Sequence, residues 1–334
     1  MTIRVGVIGT GSIGSDHVRR LSSEITGSTV SALYDIDVER ARSIAESVGA
    51  VAFDGPLDVI GSPLVDAVLI ATPGEMHAEL TLASIESGKP VFCEKPLAPT
   101  TEECLGILEA ETAFGSRLVQ VGFMRRYDRA YQSMKRSIDD KEIGEVLLMH
   151  CLHRNVSSPP TYTSSMPFTD SVIHEVDTSR WLVGEELVAA TVVGVRKSEY
   201  APEHLLDPQL VLLETASGIV VDVEVFVNCQ YGYDVRCEVV GELGVASLVP
   251  PQSTATLMTR DSAAGVPPDW KVRFGDAYLV ELQDWIDGLD LGVVAGPSAW
   301  DGYCATAVSQ CCVRSLDSGR RETVDLIDRP AFYG

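Results

Sequence analysis

Residues 5–14, VGVIGTGSIG, decide the fold of this chain. An apolar run ends there in a G-x-G-x-x-G motif formed by Gly9, Gly11 and Gly14. A buried strand that ends in this motif and runs into a helix is typical of the start of a dinucleotide-binding βαβ unit. Gly9 allows the tight turn, Gly11 lets a pyrophosphate approach the backbone, and Gly14 lets helix and strand pack closely. The stretch therefore predicts a dinucleotide site, with a merely glycine-rich turn as the alternative.

Two further positions indicate how a dinucleotide would be held. Ser12 and Ile13 begin the predicted helix, whose N-terminal N–H groups and dipole favour a phosphate. Asp35 lies 21 residues beyond Gly14, directly after the next apolar run. A carboxylate there accepts hydrogen bonds from ribose hydroxyls and repels a 2′-phosphate, which favours NAD over NADP. The alternative is a turn aspartate; no basic residue stands at 36–38, although Arg40 is near.

Hydrophobic patterning divides the chain into two parts. Up to about residue 122, short apolar runs alternate with helical patterns, which predicts a parallel sheet covered on both faces. These runs lie at 3–8, 29–34, 67–70, 90–93 and 118–121, with helices such as 77–87 and 101–112. We expect an α/β protein whose residues 1–122 form an N-terminal Rossmann dinucleotide-binding domain.

The pattern changes in residues 123–334. Alternating or β-branched runs separated by turn signals predict an α+β domain with a large, mostly antiparallel open sheet. The predicted strands are 146–152, 187–195, 209–214, 219–228, 234–241 and 244–248, and the predicted helices are 127–137, 276–287 and 300–315.

Composition excludes several classes of function. With 45% hydrophobic and 22% charged residues, the chain is ordinary for a soluble globular protein. Its 26 basic residues against 48 acidic ones give a formal charge of −22, which argues against nucleic-acid and membrane-surface binding. Eight scattered cysteines without zinc-ligand spacing indicate reduced thiols, no metal site and a cytoplasmic protein. No apolar run reaches the roughly 18 residues of a membrane span.

Lys95 is a candidate for the chemistry because it follows the run at 90–93. Pro96 restricts Lys95 to an extended backbone, which fixes where its ammonium points. A lysine held beside a nicotinamide hydrogen-bonds the reacting oxygen and stabilises alkoxide charge. The alternative is an exposed surface lysine.

Residues 170–183, DSVIHEVDTSRWLV, predict a helix with one polar face. At about 100° per residue, Asp170, His174 and Asp177 fall together with Trp181, opposite a valine stripe. A tryptophan is unusual on a solvated face, so we expect this face to line a cleft. His174 is then the natural general base, since an imidazole titrates near neutrality. The alternative makes Asp170 a helix N-cap and gives His174 a structural hydrogen bond.

Together these motifs resemble the Gfo/Idh/MocA oxidoreductase family and, within it, the inositol 2-dehydrogenases. The resemblance rests on the glycine motif, on the segments TPGEMH at 72–77, CEKP at 93–96 and DSVIHEVD at 170–177, and on the stretches 122–128 and 273–281. One departure stands around the histidine, where Ser171-Val172 and Glu175-Val176 replace the Met-Ala and Asp-Phe associated with the motif. Stereochemical preference is therefore left open.

The resemblance also implies roles for individual residues. It implies Lys95, Asp170 and His174 as catalytic residues. It implies further cofactor contacts at Thr72, Pro73, His77, Glu94 and Lys95, beside the glycine motif and Asp35. It implies that Lys95, Arg125, Tyr127, His153, Asp170, His174, Asp177, Tyr233 and Tyr278 bind the substrate.

The activity implied is NAD-dependent oxidation of myo-inositol to 2-keto-myo-inositol (scyllo-inosose) by a cytoplasmic homotetramer whose second domains bind substrate and pack by their open sheets. Two alternatives remain. One is a dehydrogenase or reductase of scyllo-inositol or another polyol or sugar, including an NADP-dependent one. The other is an NAD-binding regulator without turnover.

Overall fold

The computed structural model describes residues 2–248 and 266–334. The chain forms two compact units. The first unit comprises Met1–Phe123, Tyr278–Thr306 and Asp328–Gly334, and the second comprises Met124–Ala277 and Ala307–Ile327. Two late segments thus belong to the unit that the N-terminal residues build, and a domain division at 122/123 stays a prediction.

A six-stranded parallel sheet forms the centre of the first unit, as the apolar runs predict. Its strands are β1 (Ile3–Ile8), β2 (Ser28–Tyr34), β3 (Val51–Ala52), β4 (Ala67–Ile70), β5 (Val91–Glu94) and β6 (Val119–Gly122), in the spatial order β3-β2-β1-β4-β5-β6. Every residue of β4, β5 and β6 is buried, which explains their continuous apolar sequence. The order reverses between β1 and β4, so their carboxyl ends flank the crevice where open sheets bind ligands.

Helices follow the strands of this sheet. They are α1 (Ser12–Ser23), α2 (Val38–Val48), α3 (Pro56–Gly61), α4 (His77–Glu86) and α5 (Thr101–Phe114). Helix α5 begins with a capping box, in which Thr100 and Glu103 satisfy each other's backbone N–H groups. Apolar side chains from the late segment, among them Leu282 and Trp285, pack into the core with Val5 and Phe92.

A seven-stranded mixed sheet forms the centre of the second unit. Its strands are β7 (Val146–Arg154), β8 (Leu187–Gly194), β9 (Gln209–Thr215), β10 (Val220–Phe226), β11 (Asp234–Gly241), β12 (Val245–Ser247) and β13 (Glu322–Thr323), in the order β12-β11-β7-β10-β9-β8-β13. All neighbours are antiparallel except β7 and β10. Burial alternates along β9 and β10, so the sheet buries one face and leaves the other more open. The predicted mostly antiparallel sheet is confirmed.

The remaining helices are α6 (Arg129–Asp139), α7 (Ile173–Val183), α8 (Trp270–Asp290) and α9 (Ala299–Ser318). The prediction of one regular helix over 170–183 is wrong at its start, because Phe168–Val172 form a π-helical turn and α7 begins at Ile173. A π-helical turn changes the angular spacing of side chains, so Asp170 does not share the α-helical register of His174.

Candidate active site

The N-terminus of α1 is open at the carboxyl edge of β1. Gly9 has φ +93°, and a Cβ there would lie 2.6 Å from the carbonyl oxygen of Ala71. At Gly14 an added Cβ would lie 2.0 Å from the carbonyl oxygen of Gly9, so this glycine lets helix and strand pack. By contrast, an added Cβ at Gly11 meets no atom within 4 Å, and Gly11 caps α1 without a side-chain hydrogen bond. The exposed helix start therefore leaves room for an anion beside Gly11, Ser12 and Ile13.

Asp35 follows β2 and is buried in a cluster of hydrogen bonds. Its Oδ2 accepts from the backbone N–H (2.6 Å) and the hydroxyl (2.9 Å) of Thr10. Oδ1 accepts from the backbone N–H of Asp37 (2.8 Å) and from Nη2 of Arg40 (2.7 Å). Burial alone would raise the pKa of this carboxyl, but the bonds from Thr10, Asp37 and Arg40 outweigh it and lower the pKa. Asp35 is therefore a fixed carboxylate rather than a loose turn residue.

His77 joins the segments that follow β4 and β5. Nδ1 lies 2.6 Å from the carbonyl oxygen of Pro96, and Nε2 lies 2.9 Å from that of Thr72. Carbonyl oxygens only accept, so both bonds form only when both ring nitrogens carry protons. Burial favours the neutral ring, but the neighbouring Cys93 sulfur and the two carbonyls outweigh it and raise the pKa of His77 to about 9. These bonds give His77 a role as a cation that ties the two segments together, and its contact with the cofactor stays a prediction.

Glu94 and Lys95 stand at the end of β5. Glu94 is buried and its Oε1 lies 2.7 Å from Nε2 of His17, on α1. This bond ties β5 to the helix that carries the glycine motif. Lys95 is half-buried, and Thr72 and Pro73 lie at the end of the neighbouring strand β4. Tyr278 is buried, with its ring 5.7 Å from that of His17.

The second unit gathers another set of the predicted residues. His174, on α7, and His153, near the end of β7, are both buried, with ring centroids 6.3 Å apart. Tyr233 meets the ring of His153 edge-on at 5.5 Å, and burial raises its pKa to about 12. Arg125 is buried beside His153, with Nη2 3.1 Å from Nδ1. The two imidazoles therefore lie in a polar cluster inside the unit.

Asp170 and Asp177 take different positions from those that a single helical face predicts. Asp170 is exposed, and its Oδ2 accepts a 2.9 Å hydrogen bond from the hydroxyl of Tyr162. It does not cap α7, whose N-cap is Val172. Asp177 is buried and paired with the guanidinium of Arg126 through both carboxylate oxygens. Tyr127, also predicted, is half-buried in the 3-10 turn Met124–Tyr127.

A cavity of about 380 Å³ lies in the second unit. Asp170 and Tyr233 line it, together with Tyr162, Asn155 and Trp270. This volume is within the range of small-molecule sites, and the lining combines aromatic and apolar walls with a few polar groups. The cavity is suited to a ligand that carries hydroxyl groups.

Several side chains at these sites escaped the sequence analysis. They are His17, Arg126, Tyr162, Glu175 and Trp270. The first of these lies eight residues after Gly9 in the glycine-motif helix, a position that carries no chemical signal by itself. Contacts with residues far along the chain place three of them, with Glu94 for His17, Asp177 for Arg126 and Arg125 for Glu175.

The first unit has a parallel sheet, a glycine-rich helix start and an ionised carboxylate after β2, and the second unit buries two imidazoles. These features are those of a dinucleotide-dependent oxidoreductase. The chain belongs to the Gfo/Idh/MocA oxidoreductase family: the NAD-binding Rossmann-fold domain of that family matches residues 3–123, and its C-terminal α/β domain matches residues 135–326. The predicted family, fold class and NAD dependence are confirmed.

Known proteins similar to this chain agree over its whole length. Inositol 2-dehydrogenase 3 of Saccharopolyspora erythraea is 54% identical over 334 residues, which cover 100% of this chain and 99% of the relative. Inositol 2-dehydrogenase of Burkholderia cenocepacia is 50% identical over 335 residues, with the same coverage. Among solved structures, myo-inositol dehydrogenase from Lactobacillus casei in complex with NAD(H) and myo-inositol has a TM-score of 0.93 and 35% identity, with both chains fully covered.

The residues of the first unit fit NAD. Open space at Gly11 and the uncapped start of α1 suit the pyrophosphate, and the carboxylate of Asp35 suits ribose hydroxyls. The hydroxyl oxygen of Thr72 is buried without a hydrogen-bond partner among the described residues. In the described parts of the chain, no helix combines the length and the hydropathy needed to cross a bilayer.

Proposed function

We propose that this enzyme oxidises myo-inositol to 2-keto-myo-inositol (scyllo-inosose) with NAD, and that His174 is the general base. The observation that carries the proposal is the buried pair His174 and His153 in the second unit, whose ring centroids lie 6.3 Å apart. An imidazole can accept the proton of a hydroxyl group, and both rings are buried in the unit. The full-length similarity to proteins named inositol 2-dehydrogenase supports the choice of a cyclitol.

The cavity supports the substrate class. Asn155, Tyr162 and Asp170 bring an amide, a phenol and a carboxylate to its wall, and Trp270 adds an aromatic face. A cyclitol offers hydroxyl groups that donate and accept around the ring, and C–H faces for the apolar wall. Six further residues remain proposed for substrate binding: Tyr127, His153, Asp177, Tyr233, Tyr278 and Arg125.

The chain's own groups divide the work of the reaction. The imidazole of His174 accepts the proton of the reacting hydroxyl. The ammonium of Lys95 donates a hydrogen bond to the same oxygen and stabilises its developing negative charge. Asp170 adjusts both groups through its charge. NAD, when bound, supplies the acceptor for the hydride that leaves the same carbon. Gly11, Ser12 and Ile13 would hold its phosphates and Asp35 its ribose, and Thr72 and Pro73 would also contact it.

We further propose a cytoplasmic homotetramer. The more open face of the second sheet carries half-buried residues such as Val220 and Phe226, which suits packing against a second copy. All eight cysteines lie in the described residues and are free thiols, as a reducing compartment favours. Light scattering at assay concentration tests the tetramer, and a monomeric mass would contradict it.

The first experiment is the initial rate of NADH formation with NAD and either myo-inositol or scyllo-inositol in parallel. A clear preference for myo-inositol is expected. Activity with scyllo-inositol alone would make that isomer the substrate. If NAD binds but neither inositol is oxidised, the substrate is another polyol or a sugar, or the protein is a regulator. His174→Ala is expected to lower kcat at least about 100-fold with NAD affinity unchanged; near-normal turnover would exclude His174 as the base.

A further inference from the structure

A buried ion pair lies against His153 in the second unit. Arg125 donates from Nη1 to Oε1 of Glu175, and their side chains are only 1% and 2% exposed. Burial alone would raise the pKa of the Glu175 carboxyl, but Arg125 and His153 outweigh it and lower the pKa. Both groups are therefore charged in the interior, where neither contacts solvent.

The pair meets His153 at a single ring nitrogen. Nδ1 of His153 lies 3.2 Å from Oε2 of Glu175 and 3.1 Å from Nη2 of Arg125. A carboxylate only accepts hydrogen bonds and a guanidinium only donates them. With a proton on Nδ1, His153 donates to Glu175 and leaves Nε2 as an acceptor. With the proton on Nε2 instead, Nδ1 accepts from Arg125 and Nε2 becomes a donor.

We propose that Glu175 and Arg125 are positioning residues that hold His153 in place while letting it present either a donor or an acceptor to the polyol. The inference rests on the proposed function, in which His153 is one of the residues that bind the substrate. Oxidation turns a hydroxyl, which donates and accepts, into a carbonyl, which only accepts. An imidazole anchored equally well in both tautomers can bind the alcohol and the ketone alike.

This assignment changes the role of Arg125. Its guanidinium contacts Glu175 and His153 and lies 5.6 Å from the ring centroid of Phe274. Arg125 therefore acts on the substrate through His153 rather than by touching it.

Other groups face His153 from each neighbouring element. His174 lies on α7 and Tyr233 precedes β11, while the strand partners Val225 and Val235 are apolar. Further from His153, three ionisable side chains interact electrostatically with Arg125, Glu175 or Tyr233. They are Tyr131, Cys151 and Arg273. Arg125 and Glu175 place one positive and one negative charge in direct contact with the imidazole. Removing one or the other should therefore shift the protonation of the imidazole in opposite directions.

The test is the pH profile of kcat/KM for myo-inositol. Glu175→Gln removes a negative charge that favours the protonated form of His153 and, one ring further away, of His174. The acidic limb should therefore move to lower pH by about one pH unit. Arg125→Met removes a positive charge, so the acidic limb of the profile should move to higher pH by a similar amount. The double variant Arg125→Met/Glu175→Gln should return the limb towards that of the wild type. Glu186→Gln, which breaks the Arg180–Glu186 pair elsewhere on the unit, should leave the limb unmoved.

A pair whose charges do not act on His153 would give a different result. Folded single variants with an unmoved limb, or with shifts of the same sign, would overturn the proposal. If either single variant fails to fold, the double variant carries the test because it leaves no buried charge without its partner. It should raise the KM for myo-inositol about 10-fold, as expected for one lost hydrogen bond, with the KM for NAD unchanged; an unchanged polyol KM would overturn the proposal.

A readout independent of turnover separates this inference from the proposed function. In protein labelled with ¹³C-histidine, the His153 signal is identified by its loss in His153→Gln, and its titration is followed in the same variants. If the His153 titration shifts in opposite directions in the two single variants but the enzyme does not turn over inositol, only the proposed function is contradicted. If the enzyme turns over inositol but the His153 titration is the same in wild type and both single variants, only the positioning role is contradicted.

Discussion

Nη2 of Arg40 lies 2.7 Å from Oδ1 of Asp35, the carboxylate that follows β2. Arg40 also lies on the solvent side, with its side chain 43% exposed against 6% for Asp35. The carboxylate is thus buried, and a partly exposed guanidinium lies beside it. The two residues have opposite effects on a 2′-phosphate, since Asp35 repels it and Arg40 attracts it.

We expect Asp35→Ser to relax the preference for NAD. Removing the carboxylate leaves Arg40 as the group nearest an added phosphate, so the ratio of kcat/KM for NADP to that for NAD should rise at least about 10-fold. Steady-state rates with both cofactors measure it. The double variant Asp35→Ser/Arg40→Ala should gain less, and an unchanged ratio in Asp35→Ser would make Asp35 only a turn residue.

Substitutions at Gly11 and Gly14 should affect different properties, NAD binding in one case and stability in the other. Gly11→Ala meets open space in the protein, so it should keep the wild-type melting temperature and lose NAD affinity at least about 10-fold by blocking the pyrophosphate. Gly14→Ala would force a Cβ to 2.0 Å from the oxygen of Gly9 and should lower the melting temperature. Calorimetry and NADH fluorescence titration check both; equal behaviour of the two variants would contradict this division.

Lys95→Ala should lower kcat at least about 100-fold, because it removes the hydrogen bond that stabilises charge on the reacting oxygen. NAD affinity should change little, since the phosphates and ribose are held elsewhere. Lys141→Ala, which removes an exposed lysine paired with Glu145, is the matched control and should keep full turnover. Turnover near normal in Lys95→Ala would remove Lys95 from the mechanism.

His77 should make stability depend on alkaline pH. Its pKa is about 9 in the folded protein and about 6.5 when unfolded. A raised pKa stabilises the fold fully below about pH 6.5, and this contribution is lost as the pH rises through about 9. The difference in unfolding free energy between wild type and His77→Gln should therefore shrink by about 3 kcal/mol between pH 6 and pH 10. Urea unfolding at both pH values measures it, and a pH-independent difference would contradict the charged imidazole.

Trp285 should be essential to the first unit although it lies late in the chain. Its ring is 1% exposed and meets Phe92 edge-on at 5.5 Å. Trp285→Ala should cost about 3–5 kcal/mol of unfolding free energy through the lost burial and the cavity. Val280→Ala, on the same helix but 39% exposed, is the control and should cost well under about 1 kcal/mol. Similar losses in both variants would contradict the packing role of Trp285.

Local signals explain what the sequence could predict. Strand β1, which ends just before Gly9, and the apolar runs of β4 and β5 depend on neighbours within a few residues. Asp35 was found by its distance of 21 residues from Gly14, which is set by one helix and one strand. These features lie where they were expected, and the sheet that they form is the predicted one. The alternating strands of the second unit were predicted for the same reason.

Features that depend on distant contacts were not predictable. Glu175 carries no signal in the sequence, because its partners Arg125 and His153 lie 50 and 22 residues away. The π-helical turn at Phe168–Val172 breaks a periodicity that the sequence alone suggests is continuous through Asp170. The place of Leu282 and Trp285 in the first core depends on chain topology rather than on any local pattern.

The packing of Trp285 on Phe92 also bears on how the protein is made. A ribosome synthesises β1 to β6 early, but the side chains that close their core emerge more than 150 residues later. Part of the apolar surface of the nascent nucleotide-binding sheet therefore stays uncovered until translation has passed Trp285. Premature termination in the second unit would destabilise the first as well, so a truncated product should be a substrate for chaperones and proteases rather than a free-standing NAD-binding fragment.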